Sequence, residues 1–249
     1  MTSSGMRRSA RPRIICHMTS SVDGRLRVDR WTPPAGGVAA DLVHRHYEAV
    51  AARLAPEGWI VGRTTMAEIA DGGTPAVPAP ADGDLRKTHR GDRRGRDLAV
   101  AIDPHGKVHY GRDEAGGDHI VAVLGEGVPD AYLAELRRDG VSYLFAGPDG
   151  RDLALALDTL GETFGVRTLL LEGGGIINGA FLKAGLIDEI SLLICPAIDG
   201  LSGVPSVFEY LGTPGEKPAA GHALRHLGTE TLEGGTVWLR YRVEAAPDA

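Results

Sequence analysis

Cysteine is scarce in this 249-residue chain: there are two, Cys16 and Cys195. Each lies inside an apolar run, IICH and LLICP, so two buried reduced thiols are expected rather than a disulfide framework. No CxxC spacing exists, and no metal site is expected. Long hydrophobic runs are also missing. None approaches the ~20 apolar residues that a membrane-spanning helix needs. The basic segment MTSSGMRRSARPR is not followed by an apolar stretch, so no signal peptide is expected and the cytoplasm is the expected compartment. There is no excess of positive charge either. With 27 Lys and Arg against 33 Asp and Glu, the net charge is −6, whereas general nucleic-acid binding needs a basic surface to displace counterions. No nucleic-acid partner is expected; a local basic pocket for a phosphorylated small molecule is compatible with this average. What is present is ordinary for a soluble globular protein, 43% apolar and 24% charged residues, in a chain long enough to bury a substantial core.

Residues 1–12 read as a disordered tail. RIICHM (13–18) reads as a first buried strand, ended by TSSVDGR with its Asp23-Gly24 turn signal. Residues 41–54 have helical periodicity, with Leu42, Tyr47, Val50 and Leu54 near one face and Asp41 as a possible N-cap. Trp59-Ile60-Val61 is a short strand stopping at Gly62, and Thr64 or Thr65 is expected to cap a short helix through Ala70. The stretch 71–96 is rich in Gly, Pro, Ala and charge, with almost no large apolar residue, and reads as a mobile insert. Its arginines (Arg90, Arg93, Arg94, Arg96) are either a solvated run or a flap that reaches a phosphate. Strands are then expected at 98–103, 119–125, 141–147, 168–172 and 189–198. Helices are expected at 129–138, 152–164 and 178–184. These strands are short continuous apolar runs, which suits a parallel sheet covered by helices on both faces. HALRHLGTETL and TVWLRYRVE flank Glu233-Gly234-Gly235 and read as an antiparallel hairpin on the sheet's edge. The expectation is one α/β domain over 13–245.

Three loops carry residues suited to chemistry. In LLLEGGGIIN, a strand ends in Glu172, and Gly173, Gly174 and Gly175 precede a helix. Glycines allow backbone N–H groups to approach a pyrophosphate, and a helix N-terminus favours it. As a dinucleotide fingerprint the match is partial: Asn178 stands where a third Gly belongs, and no acid follows at the expected distance. A tight strand-to-helix connection explains the glycines equally well. In VGRTT, Gly62, Arg63, Thr64 and Thr65 offer backbone amides, two hydroxyls and a planar guanidinium suited to phosphate; an ordinary cap with a surface Arg is the alternative. Two such sites would serve a dinucleotide bearing an extra 2′-phosphate. In HMTSSVDG, Ser20, Ser21 and Asp23 follow the first strand, where parallel sheets place ligand-binding loops. Asp23 is otherwise a turn residue, and His17 otherwise a satisfied core histidine.

SSVDG, VGRTT and LLLEGGGIINGAFLKAGLIDEISLLICPAIDG, in this order, resemble the reductase domain of the bifunctional riboflavin-biosynthesis deaminase–reductase over 13–243. The resemblance implies a dihydrofolate-reductase-like three-layer α/β fold, with a mostly parallel central sheet and a C-terminal antiparallel hairpin. It implies NADPH as cofactor, a small-molecule substrate (a ribosylaminopyrimidine phosphate) and a homodimer, which the apolar hairpin edge would support. It assigns Gly62, Arg63, Thr64 and Thr65 to the adenosine end of NADPH and its 2′-phosphate. Gly173, Gly174 and Gly175 go to the pyrophosphate and nicotinamide half. Ser20, Ser21, Asp23 and Glu172 face the substrate, with Glu172, Asp23 and His17 as catalytic candidates. The sequence departs from the family in having His17 where a Lys is usual, and Asp71-Gly72-Gly73-Thr74-Pro75 in place of an Asp-Asp-Pro. It lacks the P-C-x-x-C motif of the deaminase half, so a stand-alone reductase is expected. Two alternatives stay open: a same-fold NADPH reductase of another carbonyl, imine or pterin-like ring, and a non-catalytic nucleotide- or flavin-binding protein.

Overall fold

A computed structural model describes residues 11–36, 41–70 and 84–247. The chain runs β1 (Arg13–Ser20), α1 (Leu42–Leu54), β2 (Gly58–Gly62), α2 (Arg63–Ile69), β3 (Leu98–Ile102), β4 (Glu114–Ala115), β5 (Asp118–Leu124), α3 (Asp130–Arg138), β6 (Ser142–Phe145), α4 (Leu153–Phe164), β7 (Thr168–Leu171), α5 (Gly175–Lys183), β8 (Glu189–Ile194), β9 (His222–Thr231) and β10 (Val237–Ala245). All ten strands form one sheet in the order β4-β5-β3-β2-β7-β1-β8-β10-β9, with β6 also on β5. From β6 through β5, β3, β2, β7 and β1 to β8 every pairing is parallel. The β9–β10 hairpin adds antiparallel strands beyond β8.

Two helical layers sandwich the sheet. On one face Leu157, Leu160 and Phe164 of α4 and Phe181 of α5 bury against Ile14, Cys16, Val100 and Leu171. On the other, Met66 of α2 and Leu133 and Leu136 of α3 cover Ala99, Ala101, Ile120 and Ala122. Val50 of α1 packs on Leu193 and Trp238. Leu98, Val100 and Ile102 point to one layer and Ala99 and Ala101 to the other. That division is the two-sided burial that continuous apolar strand sequences imply.

Several local details differ from the expectations. Helix α2 starts directly after Gly62, and neither Thr64 nor Thr65 caps it. Asp41 makes no side-chain cap bond and instead pairs with Arg45 at 3.1 Å. Helix α5 begins at Gly175, three residues earlier than the sequence suggests. Low helix propensity argues against a glycine there, but tertiary packing overrides it. A Cβ on Gly175 would stand 2.2 Å from the Ser206 carbonyl, and one on Gly179 only 1.9 Å from that of Glu209. The glycines let this segment lie directly on the helix. Asp152 does cap α4, accepting from the Leu155 N–H at 3.0 Å.

Residues 71–83 of the expected insert lie outside the described residues. Residues 84–96 run along the edge at β6. His89 and Tyr143 exchange backbone bonds of 2.9 and 3.0 Å, and the Gly91 N–H donates to Ser142 Oγ at 2.9 Å. Arg94 and Arg96 both bond Asp113, at 3.0 and 2.5 Å, and the Arg90 guanidinium lies 5.9 Å from the Phe164 ring centre.

Candidate functional site

The central strands β2, β7 and β1 are neighbours and parallel, so their carboxyl ends open on the same edge. VGRTT leaves β2, EGGG leaves β7 and SSVDG leaves β1. Sheet order thus joins motifs that lie at 20–24, 61–65 and 172–175 in the sequence. The first two are bonded directly, Gly62 N–H to the Gly173 carbonyl at 3.0 Å.

Beside this edge lies a cavity of about 360 Å³. Its walls are Met18 and Thr19 from the end of β1, Leu26 and Val28 from the following loop, and Glu172 from β7. Val43, His44 and Tyr47 of α1 close the remaining side. Glu172 directly follows β7, whose Leu171 pairs with Cys16. Continuing that register by one residue sets Glu172 beside His17 on the same sheet face. Tyr47 reaches both. Its hydroxyl donates to the His17 carbonyl at 3.2 Å and lies within hydrogen-bonding reach of the Glu172 carboxyl group. Burial pushes the Glu172 carboxyl up to about 7, with the Glu48 and Asp118 charges adding to the rise and the Tyr47 bond opposing it. A carboxyl group so tuned exchanges a proton near neutral pH.

His17 is fully buried and does not line the cavity. It stacks on the Tyr47 ring with centroids 4.3 Å apart. Its Nδ1 meets Ser191 Oγ at 3.1 Å, and its Nε2 meets the Tyr47 carbonyl at 3.3 Å. Ser191 Oγ also accepts from Trp238 Nε1 at 2.8 Å. The serine proton is then available to Nδ1, leaving Nε2–H to donate to Tyr47. Burial pushes the imidazole down to about 4, so it is neutral at pH 7. Its role in this arrangement is to hold Tyr47 from behind.

Asp23 accepts from the Ser21 hydroxyl at 2.6 Å and from the N–H groups of Gly200 and Asp199 at 2.8 and 3.1 Å. These bonds, the serine's foremost, hold its carboxyl down at about 2. Ser21 Oγ also accepts from the Arg25 N–H at 2.9 Å. Ser20 and Ser21 are buried. This loop clasps residues 199–200, and none of Ser20, Ser21 and Asp23 lines the cavity.

The glycines divide by environment. Gly173 has φ +87°, and a Cβ there would stand 2.9 Å from Met18 Cε. Gly175 is pressed by Ser206. Gly174 alone of the three has nothing within 4 Å of a built Cβ. Its carbonyl accepts from Ile177 and Asn178, so the N–H groups of Gly175 and Ile176 precede the bonded turn of α5 and are available to an anion. On the neighbouring loop Arg63 and Thr64 are exposed, Thr65 is half-buried, and Arg63 has no ion pair among the described residues.

Sequence reasoning missed most of the cavity wall. Tyr47 was legible as a packing residue of an amphipathic helix, and its polar role depends on the β1–β7 register. Leu26, Val28 and Val43 carry no motif at all. Among the described residues no cluster of His, Cys, Asp and Glu could hold a metal, and no helix is long and apolar enough to cross a membrane.

A parallel sheet covered on both faces, with an antiparallel C-terminal hairpin and ligand loops on its central strands, defines a dihydrofolate-reductase-like α/β protein. Within that class the chain belongs to the RibD C-terminal domain family, whose model matches residues 12–238. It is 29% identical over 186 residues, 63% of this chain and 80% of the relative, to the 2,5-diamino-6-ribosylamino-4(3H)-pyrimidinone 5′-phosphate reductase of Methanothermobacter thermautotrophicus. Among solved structures, a pyrimidine reductase-like protein from Corynebacterium diphtheriae superposes with TM-score 0.63 at 17% identity, covering 94% of this chain and 92% of that one. RibD of Acinetobacter baumannii gives 0.57 at 21% identity, over 95% of this chain and 59% of its own.

Proposed function

We propose that the protein is an NADPH-dependent reductase that acts on a small ring substrate held beside Glu172. The first substrate to test is the ribosylaminopyrimidine class for which its relative is named. The observation that carries this reading is a carboxyl group tuned to about 7 at the wall of a cavity, next to two hydrogen-bonded glycine loops. The residues present fit a dinucleotide. Open space at Gly174, amides at the start of α5 and the Arg63 guanidinium, which has no ion pair among the described residues, are suited to pyrophosphate and to a 2′-phosphate. NADPH, when bound, supplies the hydride.

The chain's own residues do the rest. Glu172, whose carboxyl titrates at about 7, can pass a proton to the substrate heteroatom as hydride adds to the adjacent carbon. Tyr47 fixes the carboxyl orientation, and His17 and Ser191 fix Tyr47. Met18, Leu26, Val28 and Val43 exclude water from the reacting face. Family resemblance also supports a cytoplasmic homodimer, which light scattering of the pure protein tests. The activity is tested by following NADPH absorbance with candidate ring substrates. Tight NADPH binding with no oxidation by any of them would favour a non-catalytic nucleotide-binding protein.

A further inference from the structure

The cavity has a buried end and an open end. At the buried end Met18 is 7% exposed, and Thr19, Tyr47 and Glu172 are half-buried. At the open end stand Val28, 50% exposed, and His44, whose side chain is 76% exposed. His44 and Tyr47 are three residues apart on α1, so they share one helix face, with His44 nearer the N-terminus. The rest of the lining, Leu26 and Val43, is apolar.

The ribosylaminopyrimidine class proposed above has two chemically different ends: a flat ring and, in the substrate for which the relative is named, a 5′-phosphate. The two ends are not interchangeable in this cavity. Its apolar walls suit the faces of a ring, and Glu172 and Tyr47 suit a polar ring edge. A phosphate dianion among the same walls would lose its hydration without an equivalent partner. Ring inward and phosphate outward avoids that cost, and it brings the phosphate to His44.

His44 is equipped to receive it. An imidazole N–H donates to a phosphate oxygen, and the bond is charge-assisted when the ring is protonated. The residue lies in the first turn of α1, where the helix end favours negative charge. Its neighbour Glu48 is 3.9 Å from Nδ1, beyond hydrogen-bond distance, and is 64% exposed. An exposed pair of that kind contributes little, so the imidazole can turn to a phosphate at small cost. Among the described residues, His44 is the one basic side chain in the cavity lining.

We propose that His44 is a specificity-determining residue that holds the substrate's phosphate at the cavity mouth while the ring lies against Glu172. This rests on the reductase reading above and adds to it the residue that selects the phosphorylated substrate.

The test uses a matched pair, 2,5-diamino-6-ribosylamino-4(3H)-pyrimidinone with and without its 5′-phosphate. Each is titrated calorimetrically onto the NADPH-loaded protein and assayed for NADPH oxidation. His44→Ala should raise Kd and KM for the phosphate by about tenfold and leave kcat unchanged. The unphosphorylated member should change by less than about twofold. His44→Lys, which returns a cation at the same exposed position, should recover most of the lost affinity. A loss equal for both members, or no loss at all, overturns the proposal and leaves the reductase reading intact. A His44→Lys variant no better than His44→Ala does the same. If both members bind and neither oxidises NADPH, the reductase reading fails for this class, and the calorimetric comparison still decides the role of His44. Binding of neither member overturns the proposal, and NADPH oxidation by other rings then decides the reductase reading.

Discussion

The Gly62 N–H donates to the Gly173 carbonyl across 3.0 Å, fastening the loop that leaves β2 to the loop that leaves β7. The glycines around this bond have different reasons to be glycine, and the differences can be measured. At Gly173 a side chain would meet Met18, and at Gly179 it would meet the backbone of Glu209 at 1.9 Å. Gly173→Ala and Gly179→Ala should each destabilise the protein by roughly 2–3 kcal/mol in denaturant unfolding. Gly174, with φ −57° and open space, should accept Ala with stability changed by less than about 1 kcal/mol. Its substitution should instead weaken NADPH in a fluorescence titration. Equal destabilisation at Gly174 with unchanged NADPH affinity would remove it from the cofactor site.

Arg63 opens α2 one residue beyond the same bond and is exposed. A guanidinium on the 2′-phosphate makes charge-assisted bonds that NADH cannot accept. Arg63→Ala is therefore expected to weaken NADPH about 10- to 100-fold and NADH by less than about threefold. Equal losses for the two cofactors would place Arg63 elsewhere.

Glu172 is proposed to donate its proton, and its carboxyl is raised to about 7. The rate of the reductive step should then fall about tenfold per pH unit above that value. Glu172→Gln should abolish this limb and cut turnover while leaving NADPH affinity unchanged. Tyr47→Phe deletes the bond that holds the carboxyl down, so the limb should move to higher pH. The same shift has a stability consequence of fixed sign. Between the ordinary carboxyl value of 4.5 and about 7, the unfolded chain is ionised and the folded one is not, so stability is lost as pH rises through that window. Glu172→Gln should stabilise the protein at about pH 8, by at most roughly 3 kcal/mol, and have little effect at about pH 5. A variant less stable at both pH values would contradict the burial that raises Glu172.

The three motif loops were legible because each combines residue types with a mechanism and follows an apolar strand. Strand sequences such as LAVAID and HIVAVLG also disclosed a sheet buried on both faces, since their apolar residues run continuously instead of alternating with polar ones. Other features depend on contacts between distant segments. Nothing in EGGGIING reveals that Gly175 and Gly179 make room for the carbonyls of Ser206 and Glu209. Nothing in SSVDG reveals that Asp23 is consumed by the backbone at 199–200. Tyr47 fitted its helical stripe, but its position over Glu172 follows from β1–β7 register and the packing of α1. The short β4 falls below any periodicity.

His17 supplies the last prediction. Its imidazole is depressed from 6.5 to about 4 by burial, so the unfolded chain takes up a proton as pH falls through 6.5 while the folded one does not. Its contribution to stability is complete above about 6.5 and is lost as pH falls toward about 4, to an extent of roughly 3 kcal/mol. His119, also held down at about 4, adds a parallel loss, so the native protein should show a steep decline in melting temperature across this window. His17→Asn removes one of the two contributions without introducing charge, and its melting temperature should decline less steeply over the same range. His17→Lys restores the residue usual in the family. It places an ammonium between Tyr47 and Ser191 in a fully buried position, which should destabilise the protein by several kcal/mol at neutral pH. If His17→Lys instead melted near the native temperature and turned over substrate faster, position 17 would belong to the reacting site rather than to the support behind Tyr47.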